Sequence, residues 1–164
     1  MNTTTSPQKT AVVITSSELL NHWQSHRGLT RRLIEAFPEK EFFNYSIGGM
    51  RSCSALMEEL LAIAVPGIRQ IVEGSAETLN EDSDENSTKA KVLARWDEAT
   101  AELDKLWPQI ADERFSEKIV TFGQYEGTVL SSILYFIDNE IHHRGQAYVY
   151  LRSLGIEPPY FWER

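Results

Sequence analysis

Asn139-Glu140-Ile141-His142-His143-Arg144-Gly145-Gln146 places two of the chain's four histidines beside a glutamate, an asparagine and an arginine, within about two turns if the segment is helical. The other two, His22 and His26, stand four residues apart near the N-terminus, the spacing that brings two side chains together on one helix face. Imidazole nitrogens combined with a carboxylate suit zinc, nickel or iron, with water filling open positions. On a helical wheel Asn139, His142, His143 and Gln146 share one side. Adjacent residues differ by about 100°, so one of His142 and His143 faces a cleft while the other meets a neighbouring segment. A metal would need ligands from a second helix, and the candidates are Glu58 and Glu59 or, on the first helix, His22 and His26. Packing against Trp23 or plain exposure accounts for the His22–His26 pair equally well.

These residues must be positioned by helices. Leu20, Trp23, Leu29, Leu33, Ile34 and Phe37 recur at three- and four-residue steps, predicting a helix from about Ser17 to Phe37, stopped by Pro38. Residues 39–49 read as an aromatic connection ending in the Gly48-Gly49 turn signal. Leu56, Leu60, Ile63, Ala64, Ile68 and Val72 predict a second helix over about 52–72, with Pro66 as a kink point. Val92, Leu93, Trp96, Ala99, Leu103 and Leu106 predict a third over about 88–110. A fourth runs from about Thr128 to Leu154 and closes on Gly155. Its apolar positions Leu134, Ile137, Ile141, Val149 and Leu151 spread around the axis, so this helix is expected to be covered on more than one side. Between the last two, Lys118 to Tyr125 suggests a short extended pair around Gly123. The aromatic run Tyr160-Phe161-Trp162 is expected to pack on the body or on a partner.

The 164 residues fit a single domain over 1–164. Residues 1–12 read as a disordered polar tail, and 74–87 as an acidic, solvated loop without calcium-loop spacing. A net charge of −8 argues against binding to a phosphate backbone. No apolar run reaches membrane-spanning length, and the N-terminus lacks a secretory core. A lone cysteine, Cys53, cannot form an internal disulfide and reads as a buried thiol. A cytoplasmic location is the default expectation. All of this describes an all-α bundle of four helices.

The closing helix also carries a resemblance. His142-His143-Arg144-Gly145-Gln146, followed by Tyr150-Leu151-Arg152 and Gly155, resembles the last-helix signature of the damage-inducible DinB-like proteins, the DinB/YfiT superfamily. Met50-Arg51-Ser52 with Leu56 and a polar position three residues on resembles the start of that family's second helix. The resemblance spans about residues 17–155. It implies an antiparallel four-helix bundle with up-down-down-up topology, often a homodimer. It also implies a divalent metal held by three histidines, one on the second helix and two on the last. Carried onto this chain, those positions are Glu59, Asn139 and His143, and only the last is still histidine. Glu58 is the alternative if the register shifts by one.

Two functions follow. In the first, the chain is a divalent-metal-binding protein (zinc, nickel or iron) with an altered ligand set. It would act as a metal-dependent thiol transferase or a hydrolase-like enzyme on a small-molecule or thiol substrate. Glu59 and His143 would hold the ion and Asn139 would orient a water or substrate. Tyr135 and Gln146 would supply pocket hydrogen bonds, and Arg144 would meet an anionic group or a structural carboxylate. In the second, a non-enzymatic dimeric bundle serves a structural or binding role, and the same residues form a satisfied polar network.

Overall fold

A computed structural model describes residues 13–75, 79 and 87–164. The tail expected over 1–12 and most of the acidic loop expected over 74–87 lie outside the described residues. Helix α1 (Ser16–Ala36) starts on a capping box, with Thr15 and Glu18 bonding reciprocally to each other's backbone amides. A short helix, α2 (Glu39–Asn44), follows Pro38. This corrects the reading of residues 39–49 as connection alone: Phe42 is buried beside Phe37, ring centroids 6.0 Å apart, and that anchor makes one helical turn and a half worthwhile.

Helix α3 (Cys53–Glu73) is capped by the Ser52 hydroxyl, runs through Pro66 without a break, and ends on Gly74 in the left-handed region. Helix α4 (Lys89–Leu106) begins at the Thr88 cap and passes into a 3-10 turn at Trp107–Gln109. A second 3-10 turn, Asp112–Ser116, leads to the expected extended pair, β1 (Lys118–Thr121) against β2 (Tyr125–Thr128), antiparallel with Thr121 opposite Tyr125. Helix α5 (Val129–Ser153) closes the bundle, and Gly155 takes a φ of 75° behind its C-terminus.

Cross-helix contacts set the directions. Arg27 meets Trp96 and Gln24 meets Asp104, so α1 and α4 are antiparallel. Glu58 pairs with Arg95 and Arg69 with Glu102, so α3 and α4 are parallel. Glu59 meets His143 and Arg51 meets Tyr150, so α3 and α5 are antiparallel. The topology is therefore up-down-down-up. Gly67 is needed for the α3–α5 approach, because a Cβ there would sit 2.6 Å from the Phe136 ring.

The core has two apolar clusters. One gathers Leu19, Trp23, Ile68, Leu103, Val129 and Phe136; the other gathers Leu33, Ile34, Phe42, Leu56, Trp96 and Tyr150. Cys53 lies in the second, fully buried, where desolvation pushes its thiol far up from the ordinary value. Between the clusters runs a polar belt of His26, Arg27, Thr30, Glu58, Asn139, Glu140, His143 and Arg144, all buried. The C-terminal segment returns to α1, with the Glu163 carbonyl accepting from Arg32 and the Arg164 guanidinium beside His26. The rings of Tyr160, Phe161 and Trp162 stay largely exposed, Tyr160 stacking on Trp162 and Phe161 meeting Trp162 edge-on. No described helix is long and apolar enough to cross a membrane.

Candidate functional site

The belt divides into two networks on neighbouring faces of α5. On the α3 side, Glu59 Oε1 accepts from Asn139 Nδ2 and from His143 Nε2, each at 3.0 Å. Its other oxygen, Oε2, takes the Arg51 guanidinium. His143 Nδ1 lies 3.0 Å from Gln146 Oε1, and the Gln146 amide nitrogen reaches His142 Nε2 at 3.3 Å. The i,i+4 step from Asn139 to His143 presents both side chains to α3. An antiparallel neighbour brings Glu59 between them.

Burial works to raise the Glu59 carboxyl, but the hydrogen bonds from His143, Asn139 and Arg51 outweigh it, and its pKa falls below the ordinary value. The side chain of Glu59 is only 13 % exposed. The site opens on a shallow groove of about 440 Å³ lined by Glu59, Tyr135, Asp138, Asn139, His142 and His143. Tyr135 forms one wall and stacks on Tyr125 of the hairpin, centroids 6.1 Å apart.

Four of the residues singled out in the sequence lie elsewhere. Glu58 turns away from the groove and forms a bidentate pair with Arg95 of α4, at 2.8 and 2.7 Å. The register alternative thus belongs to the α3–α4 seam. His22 and His26 do share a face of α1, with Nε2 atoms 3.2 Å apart. They stand on the α1–α5 side, where His26 Nδ1 accepts from Arg144 Nη2 at 2.8 Å. Burial, with Arg144, His22 and Arg164 close by, pushes the pKa of His26 down to about 4. Arg144 is itself buried, donating to Thr30 and to the His26 carbonyl and lying 3.7 Å from Glu140. It is a structural cation rather than a group facing the groove.

Sequence reasoning missed Arg51 and Asp138. Asp138 had a usable signal, four residues before His142 on the same face. Arg51 had none, since it precedes α3 and reaches Glu59 from outside the helical pattern.

The donor set decides how well a metal suits this place. Among the described residues no three His, Cys, Asp or Glu side chains converge as ligands. The groove offers one imidazole, one carboxylate and a neutral amide, and the carboxylate already receives three protein donors, one of them a guanidinium. A divalent cation would lie close to the Arg51 charge and would displace two hydrogen bonds from Oε1. That set does not fit the ion implied by the family resemblance.

The DinB family model matches residues 1–163. The chain belongs to the DinB family. Among curated proteins it is similar to the uncharacterized protein YjoA of Bacillus subtilis strain 168, 25% identical over 152 residues, covering 91% of this chain and 97% of that protein. The crystal structure of that DinB-like protein superposes with a TM-score of 0.69 at 23% identity, over 89% of this chain and 99% of the other. A DinB-like protein from Bacillus cereus ATCC 10987 superposes at 0.68 with 14% identity, over 88% and 95%. These two likenesses show the DinB-like four-helix-bundle fold.

Proposed function

We propose that this chain is a DinB-like binding protein that works as a homodimer without a resident metal, its groove taking a small polar molecule. The observation that carries this is the closure of Glu59. Both carboxylate oxygens are held by Asn139, His143 and Arg51, and the guanidinium supplies in place the positive charge that an ion would otherwise bring. Such a site offers hydrogen bonds at Asp138, His142 and the rim of the Glu59–His143 pair, and a flat aromatic wall at Tyr135.

One observation favours the metal reading instead. Gln146 engages His143 Nδ1 and so directs Nε2 at the groove, the bracing that metal-bound imidazoles commonly have.

Metal analysis separates the two. Protein purified without chelator, then loaded with zinc, nickel or iron and desalted, is expected to retain well under one equivalent. The Glu59→His, Asn139→His double variant, which rebuilds the three-histidine set, is expected to gain close to one. Stoichiometric metal in the unaltered chain, lost in both Glu59→Ala and His143→Ala, would overturn the proposal.

A further inference from the structure

Helix α5 carries more apolar surface than its own bundle covers. Leu134, Ile141 and Val149 are 42, 37 and 55 % exposed, and they share a face with exposed Asp138, Gly145 and Arg152. Read outward from Gly145, this face is self-complementary. Ile141 and Val149 stand four residues to either side, and Asp138 and Arg152 stand seven to either side. Among the described residues neither Asp138 nor Arg152 makes an ion pair within the chain.

We propose that this face of α5 binds a second copy of the chain, the two helices packing antiparallel across a dyad at Gly145. The homodimer of the preceding reading underlies the proposal, and the face is what is new. In that register each Ile141 meets Val149 of the second copy, and each Asp138 meets Arg152 of the second copy, so every contact occurs twice, as an isologous interface requires. Opposite charges pair and like charges do not, which a parallel arrangement would not achieve. A Cβ at Gly145 would meet nothing within 4 Å, so the crossing point is open and without a side chain, and the axes approach closely. Asp138 lies both on this face and in the groove lining, beside Tyr135 and His142 on the adjoining side of the helix. The second copy therefore borders the groove at Asp138.

The test uses the full chain in sedimentation equilibrium at low micromolar concentration, with charge reversals at the two positions. The unaltered protein is expected to be a dimer. Asp138→Arg and Arg152→Asp, each setting like charges opposite one another twice, are each expected to weaken it by about tenfold or more. The double reversal is expected to restore it. Gly145→Cys is expected to form a disulfide-linked dimer under mild oxidation, and Glu98→Cys, exposed on α4, is not. A monomer at tens of micromolar would overturn both the dimer and its face. A dimer indifferent to the reversals, with no crosslink at position 145, would overturn the face and leave the dimer standing.

Discussion

Glu59 of α3 meets α5 at Asn139 and His143, within one turn of Glu140 on α5 itself, and the surroundings of the two carboxylates are opposite in kind. Glu140 is 2 % exposed. It accepts from Trp23 Nε1 at 3.1 Å and Thr30 Oγ1 at 2.6 Å, and lies between the guanidiniums of Arg27 and Arg144 at 3.9 and 3.7 Å. Arg27 is fully buried with its guanidinium 4.1 Å from the Trp96 ring centre. Desolvation pushes both guanidinium pKa values down, and Glu140 counters it. Nothing from solvent reaches this network, so it can only fasten α1 to α5. Glu59 gathers a similar number of donors at the edge of a groove, one of them from an exposed arginine. A carboxylate between buried cations locks a bundle, whereas one at a rim stays beside solvent even when its oxygens are held.

The sharpest way to break this contrast is Glu140→Ala, which strands two buried arginines. It is expected to cost about 3–5 kcal/mol of stability, read from urea unfolding. Glu140→Gln keeps the shape and is expected to cost less, providing a folded variant for comparison. A loss under about 1 kcal/mol in Glu140→Ala would remove the reason to call that network a lock.

The rim network should respond more gently. Glu59→Gln is expected to lose about 1 kcal/mol. A double-mutant cycle with His143→Ala should return a coupling of about 0.5–3 kcal/mol. Additive effects would mean that the 3.0 Å contact contributes little in solution.

Acid sharpens the contrast further. His26 takes its proton only near pH 4 in the folded chain against 6.5 ordinarily. The unfolded chain therefore binds the extra proton between those values, and stability declines as pH falls from 6.5 to about 4. The Glu59 carboxyl is lowered from 4.5, so its contribution is present above that value and is lost as pH falls through the folded pKa. Melting temperatures measured from neutral to acid pH should show a slope that His26→Gln flattens in the upper window. Glu59→Gln should flatten only the more acid limb. Matching profiles in the two variants would contradict the assignment.

The bundle was legible from one sequence because its four long helices each carry apolar steps of three and four residues, and because Pro38 and Gly155 mark where two of them stop. Helix α2 was not legible: six residues are too few for a period, and only burial of Phe42 reveals why they coil. The pairing of Asn139 with His143 could be read from their spacing, and Glu59 was reached through family resemblance. Arg51 could not be read, since its reach to Glu59 crosses the start of a helix and no periodicity encodes it.

The sequence by itself determined which residues lie on which face of each helix, because a helix turns by a constant angle per residue whatever surrounds it. Only the tertiary structure decided which face meets which. Antiparallel packing of α3 on α5 turned Glu59 into the partner of His143, while parallel packing of α3 on α4 gave neighbouring Glu58 to Arg95. Two adjacent glutamates thus entered different networks, since about 100° of rotation separates them and only the neighbours of α3 say what each direction holds.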